Sequence, residues 1–337
     1  MEMRWIFFLK SFLHDLLEFC SLSFYGLKRI KFLRGVQMVY DAIVVGGSFA
    51  GLSAALHIAR ANRRVLVIDS GMPRNRFSKD SHGFFSSDGK SGVELLEAAR
   101  QQVNAYPTTR FLTGEVQKIS GSLGEFRVSC ERGEVFEAKR IVLATGVKDV
   151  LPDIPGLKER WGKSVLLCPY CHGYEIGGGN IGVLGVSPLS IAQALLLADW
   201  GTITLFNNGI VIDADAKRKL DQRHVSVEES PVAALLGPDL ELVSVLLANG
   251  QLNHIRALFI SSPIQVGSNL ASQLGCVFDE MPIGPVIRTD IWKHTSVPGI
   301  YAAGDNARFP HNISGAASDG ALAGIGLHQS LVFERNS

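Results

Sequence analysis

Between Tyr40 and Asp69 the chain reads strand, glycine turn, helix, strand and acid, an order that few folds admit. Tyr40 to Val45 is an apolar run broken only by Asp41, the pattern of a strand buried inside a parallel sheet. Gly46-Gly47-Ser48-Phe49-Ala50-Gly51 follows, and then Leu52, Ala55, Leu56 and Ala59 line one helical face. Arg64 to Ile68 reads as a second strand, ending at Asp69, 18 residues after Gly51. A glycine turn in this setting predicts a dinucleotide-binding unit. Gly46 permits the tight turn, and Gly51 lets helix and strand approach closely. The amides around Phe49 and Ala50 open the helix, where the positive end of its dipole suits a pyrophosphate. Asp69 can accept hydrogen bonds from a ribose diol. Ser48 stands where a further glycine is usual; its small hydroxyl can donate to a phosphate oxygen.

Two later segments specify the dinucleotide. Arg140 to Leu143 reads as a strand ending in Ala144-Thr145-Gly146, and Gly299 to Ala302 as another ending in Ala303-Gly304-Asp305. In this order after the first turn they point to FAD. In flavoproteins of the two-dinucleotide-domain type, a segment like that at Thr145 and Gly146 returns the chain to the FAD domain, and one like that at Gly304 and Asp305 puts an acid on the ribityl chain. A helix beginning near Ser314 is expected to aim its N-terminus at the flavin ring.

Cys168-Pro169-Tyr170-Cys171-His172-Gly173-Tyr174-Glu175 carries the chemistry. Cysteines separated by two residues close a small disulfide ring, and such pairs exchange disulfides readily. A closed zinc site needs four ligands; Cys20, Cys130 and Cys276 are isolated in sequence and His172 alone does not complete one, so no metal is expected. His172 has the titration range for moving a proton during thiol exchange, although a structural, hydrogen-bonded histidine would look the same. Glu175 is a weaker acid–base candidate.

The ordered set resembles the low-molecular-weight thioredoxin reductases over about residues 38 to 330: the glycine turn, Ala144-Thr145-Gly146, the cysteine pair and Gly304-Asp305. The resemblance implies that Cys171 faces the flavin and Cys168 exchanges with a partner disulfide. The usual reductases carry Asp after the second cysteine, where this chain has His172. Cysteine pairs followed by His-Gly look more like the dithiol oxidases that close disulfides in gliotoxin and holomycin, and like atypical, deep-branching thioredoxin reductases. Pro73-Arg74-Asn75-Arg76 and His82-Gly83-Phe84 resemble the same branch. The implied partner is a thioredoxin-like protein or a small dithiol or disulfide; a homodimer is implied by resemblance only.

A second fold of the same kind is expected within the first. Ile181 to Leu184 is its first strand, Gly185-Val186-Ser187-Pro188-Leu189-Ser190 its turn, and Thr202 to Phe206 its second strand. Ser187 and Ser190 occupy positions where glycine, or glycine or alanine, is usual. NADPH binding in the family uses a basic cluster after the second strand, and arginine suits a 2′-phosphate; here Asn207 and Asn208 are neutral. Lys217, Arg218 and Lys219 read as part of a separate segment. The balance leans toward loss of efficient NADPH use. Electrons would then come from ferredoxin or another protein, or run from a dithiol through FAD to oxygen. A non-catalytic flavin-binding sensor is the alternative of another class, and the intact cysteine pair argues against it.

The expected architecture is α/β, with two doubly wound three-layer dinucleotide-binding domains, the second inserted in the first. Residues 38–153 and 282–337 form the FAD part and residues 154–281 the inserted part. Leu151 to Gly156 and Pro282 to Pro285 read as the linkers, because clustered Pro and Gly favour extended chain. A net charge of +1 gives no reason to expect nucleic acid, and five cysteines in 337 residues suit a reducing, cytoplasmic setting. Residues 1–37 stand apart. Trp5 to Leu9 is apolar, as is most of Phe19 to Leu27; Lys10, Asp15 and Glu18 interrupt the pattern, and Lys28, Arg29, Lys31 and Arg34 follow. No uncharged run reaches the roughly 20 residues of a membrane helix. Three readings stay open: a membrane-surface helix, a helix docked on the body, or sequence upstream of a start at Met38. The position of Met38, just before the first strand, favours the last.

Overall fold

A computed structural model of the chain describes residues 38–333. The extension over residues 1–37, with its three readings, lies outside the described residues.

The first fold begins as the sequence predicts. Strand β1 (Val39–Val45), helix α1 (Phe49–Arg60) and strand β2 (Val65–Asp69) form a parallel unit, with Ala42 paired to Val65 and Val45 to Ile68. Helix α2 (Gly92–Asn104) opens with a capping box, Ser91 and Glu94 each satisfying the other's backbone N–H, and leads to β3 (Thr109–Thr113). An antiparallel meander follows: β4 (Val116–Ser120), β5 (Phe126–Cys130) and β6 (Val135–Leu143). The sheet order is β3-β2-β1-β6-β5-β4. Ile43, Val44, Val65, Val67, Ile141 and Val142 have no exposed surface, the continuous apolar run of strands covered on both faces. Each such side chain contributes about 1.5–3 kcal/mol of burial.

The chain then leaves through β7 (Val147–Asp149) and builds the motif again. Strand β8 (Val165–Leu166) feeds helix α3 (Pro169–Ile176), which holds the cysteine pair. Strand β9 (Asn180–Leu184), helix α4 (Leu189–Leu197) and β10 (Thr202–Phe206) repeat strand–turn–helix–strand. Helix α5 (Ala214–Gln222) and β11 (Ser226–Glu228) follow. A second antiparallel meander, β12 (Val232–Leu236), β13 (Ser244–Leu247) and β14 (Leu252–His254), precedes the returning β15 (Ala257–Ile260). This sheet is parallel throughout, ordered β11-β10-β9-β15-β8. The two folds have the same plan, and each has its own buried clusters.

The return differs from expectation. Strand β16 (Ile264–Val266) pairs antiparallel with β7, so the two crossings run side by side as one ribbon. Beyond it, helix α6 (Leu270–Gln273) and the hairpin of β17 (Phe278–Met281) and β18 (Gly284–Ile287) follow. Leu270, Ala271, Cys276 and Ile287 pack into the core of the first fold. Pro282 to Pro285, expected as a linker, is the turn and start of that hairpin. Strand β19 (Ile300–Ala302) lies parallel beside β6, and helix α7 (Ile313–Phe333) packs along α1. That approach is close: a Cβ at Gly320 would stand 2.0 Å from the Ala50 carbonyl oxygen.

Candidate active site

The first turn is tight for a backbone reason. Gly46 has φ +106°, and a Cβ there would lie 2.2 Å from the Ala144 carbonyl oxygen. A Cβ on Gly51 would stand 1.8 Å from the Gly46 carbonyl oxygen, so α1 can start this close to β1 only with glycine. Asp69 Oδ1 accepts from the Gly47 N–H at 3.0 Å, and Oδ2 accepts from Arg100 at 2.8 Å. Ser48 takes the N-cap position of α1 but makes no side-chain capping hydrogen bond.

A cavity of about 350 Å³ opens over this turn. Gly46, Ser48, Phe49, Ala50, Asp69, Thr145, Gly146, Gly304 and Asp305 all line it, so nearly every expected cofactor contact converges there. Ser314 does not. It is exposed and lies off the cavity, because α7 starts earlier than expected: Asn312 Oδ1 caps it by accepting from the Gly315 N–H at 2.6 Å. Asn312 and Ile313 face the cavity instead.

Cys168, Cys171 and His172 line the same cavity, brought there on α3 from the inserted fold. Cys168 is the N-cap of α3, its Sγ accepting from the Cys171 N–H at 3.2 Å, and the two cysteines form a disulfide. Pro169 at the first helical position has no N–H to leave unpaired. The helix ends at Gly177 in the left-handed region. Burial pushes the His172 imidazole below the usual histidine range; nearby Glu175 opposes this and His82 adds to it. His172 is therefore held neutral near pH 7, in the form that accepts a proton.

Sequence reasoning missed the polar cluster on the cavity wall. Arg74 forks onto Asp149 at 3.0 and 2.5 Å and reaches Asp305 at 2.9 Å and His311 Nδ1 at 2.8 Å. Burial works against the guanidinium's charge, yet the Asp149 and Asp305 carboxylates outweigh it and raise the pKa above the ordinary arginine value. Asp149 also accepts from Ser262 at 3.1 Å. The one sequence signal was the Pro73-to-Arg76 stretch, which resemblance alone had singled out.

The cavity suits a polar dinucleotide. Its floor is a backbone turn that stays this tight only because Gly46 and Gly51 carry no Cβ. Asn75 Nδ2 and His311 Nε2 are buried without a protein partner, and both residues line it. Such groups call for a hydrogen-bonding ligand.

The second turn is chemically different. Ser190 Oγ, with no exposed surface, accepts the Val186 N–H at 3.1 Å, consuming an amide of the turn itself. Pro188 caps α4 without an N–H of its own. At the end of β10, Asn207 Oδ1 accepts from the Gly209 N–H and Asn208 Oδ1 from the Val232 N–H. Lys217, Arg218 and Lys219 lie on α5, paired to Asp221 and Asp215.

Comparison with known proteins agrees with this arrangement. The family model described as pyridine nucleotide-disulphide oxidoreductase matches residues 40–320. Thioredoxin reductase tcpT of Claviceps purpurea is 34% identical over 88% of this chain and 96% of its own length. A crystal structure of an oxidoreductase from Agrobacterium tumefaciens has 43% identity and a TM-score of 0.85, covering 88% of this chain and all of that one. The crystal structure of HlmI has 39% identity and a TM-score of 0.82, covering 87% of this chain and 93% of that one. The chain therefore belongs to the pyridine nucleotide-disulphide oxidoreductase family, as a thioredoxin-reductase-like flavin disulfide oxidoreductase with FAD as its cofactor.

Proposed function

We propose that Cys168 and Cys171 take electrons from a small dithiol and pass them to FAD, and that the inserted fold no longer uses NADPH efficiently. The observation that carries the reading is the shared cavity, lined by both the glycine turn and the two cysteines. FAD, when bound, supplies two-electron acceptor chemistry next to the pair. Gly46, Ser48, Phe49, Ala50 and Gly51 would hold its pyrophosphate, Asp69 its ribose, and Thr145, Gly146, Gly304 and Asp305 the remainder; Asn312 takes the place first given to Ser314.

A substrate thiolate attacks Cys168 Sγ, the Cys168–Cys171 bond breaks, and Cys171 leaves as a thiolate. The second substrate thiol then loses its proton and attacks the mixed disulfide. The substrate leaves as a disulfide and Cys168 is freed, so two electrons now reside on the cysteine pair. His172, kept neutral by burial, is placed to take up the thiol proton. The uncharged turn at Asn207 and Asn208, with both amide oxygens committed to backbone N–H groups, supports a donor other than NADPH. The reading carries with it a cytoplasmic homodimer and a discontinuous FAD part with crossings near residues 150 and 263; gel filtration tests the dimer.

Anaerobic stopped-flow of the purified flavoprotein is the test. Rapid bleaching of the visible flavin band by a dithiol, with slow bleaching by NADPH, supports the proposal. Rapid bleaching by NADPH overturns it in favour of a conventional reductase of a thioredoxin-like protein. Reoxidation by oxygen or by ferredoxin then separates an oxidase from a reductase fed by another protein.

A further inference from the structure

Loop 81–90 of the first fold closes on itself. Ser81 N–H donates to the Lys90 carbonyl at 2.8 Å, and the Gly83 N–H donates to Asp88 Oδ1 at 2.7 Å. Phe84 packs edge-on against Phe49 of the cavity, with ring centroids 6.4 Å apart. The loop thus presents His82 from an anchored base, its side chain 20% exposed.

His82 faces the redox helix. Its Nε2 lies 3.4 Å from Oε1 of Glu175, one helical turn beyond Cys171 on α3. Its Nδ1 lies 3.5 Å from Asp88 Oδ2. His82 and His172 line the cavity together with both cysteines. The titratable groups that face His82 are therefore Asp88 from its own loop, and Glu175 and His172 from α3. Glu175 belongs to the inserted fold, so this contact joins the two folds at the sulfurs, away from the β7–β16 ribbon.

We propose that His82 is a positioning residue of the dithiol–disulfide reaction: clasped to Glu175, it holds α3 so that Cys168 and Cys171 face the cofactor cavity. The inference rests on the reading that these cysteines are the redox pair. Without the clasp, α3 is free to swing its sulfurs outward.

The test compares wild type with His82→Ala, Glu175→Gln and His82→Lys as holoenzymes. Each is reduced anaerobically with dithiothreitol and then alkylated with iodoacetamide at pH 6.5. Mass spectrometry reads the alkylation rates of Cys168 and Cys171, and the visible flavin spectrum confirms a folded, loaded protein. Charge effects alone have opposite signs: removing His82 slows thiolate alkylation and removing Glu175 speeds it. The clasp requires both variants to be alkylated faster at pH 6.5, by about fivefold. His82→Lys restores the protection that His82→Ala loses. Slower or unchanged alkylation of His82→Ala overturns the proposal, as does failure of His82→Lys to protect. Flavin bleaching by dithiothreitol in the wild type is followed in the same samples. Its absence overturns the redox reading, while the alkylation ratios still decide the clasp.

Discussion

Cys171 donates its backbone N–H to Cys168 Sγ at 3.2 Å, so the first cysteine of the pair caps the helix that carries the second. Serine at position 168 keeps an acceptor there, and alanine does not. In thermal unfolding under reducing conditions, Cys168→Ala is expected to fall about 1 kcal/mol below Cys168→Ser. Both variants, and Cys171→Ser, should retain FAD yet show no steady-state turnover. Turnover in Cys171→Ser would remove it from the redox pair.

The cradle at Gly51 leaves no room for a methyl group, since the added Cβ would meet the Gly46 carbonyl oxygen at 1.8 Å. Relieving that clash pushes α1 away from β1 and opens the pyrophosphate site. Gly51→Ala is expected to lose at least about 2 kcal/mol of stability and to purify with little flavin. The ratio of visible to protein absorbance reads the second effect directly; a full complement of FAD would contradict the assigned role.

His172 and His311 both have pKa values pushed below the usual histidine range, with burial the leading cause in each. Their folded-state values lie below the unfolded ones. The unfolded chain thus binds more protons over the interval, and stability rises with pH. The penalty is absent above about pH 7.5 and grows as the pH falls through about 6.5, the ordinary histidine value. Replacing His172 with Asn should therefore narrow the acid-side loss of stability between pH 7.5 and 5.5. Urea unfolding at the two pH values measures this, and equal slopes for wild type and variant would dismiss it.

Removing Arg74 leaves Asp149 and Asp305 facing each other without their shared cation. Partial exposure moderates the cost, so Arg74→Ala should lose about 2 kcal/mol. Lysine cannot reproduce a two-nitrogen fork, so Arg74→Lys should recover less than half of that loss. Denaturant titration of the three proteins checks the order; full rescue by lysine would mean that charge alone matters.

Much of this was legible in the sequence because backbone geometry demanded particular residues. Gly46 and Gly51 are there for lack of a Cβ, and a pattern reader can find them. The cysteine spacing likewise states its chemistry. The cap of α7 was misplaced because His311-Asn312-Ile313-Ser314 offers two capping residues, and only the Gly315 N–H decides for Asn312. The hairpin at 282–285 was read as a linker because clustered Pro and Gly serve either equally well. Arg74 was opaque for another reason: its partners lie 75, 231 and 237 residues away in the chain. No local pattern encodes an assembly of that kind.

The ribbon of β7 and β16 has a mechanical consequence. The two crossings are laced together by backbone bonds, and the Val150 N–H extends the lacing to Pro263 at 2.8 Å. Asp149 ties the outgoing strand to Ser262 on the returning one and is itself gripped by Arg74. The strap between the folds is thus buckled inside the cofactor cavity. By thermodynamic reciprocity, any ligand that firms the buckle also stiffens the strap, and any strain that slackens the strap weakens the hold on the ligand.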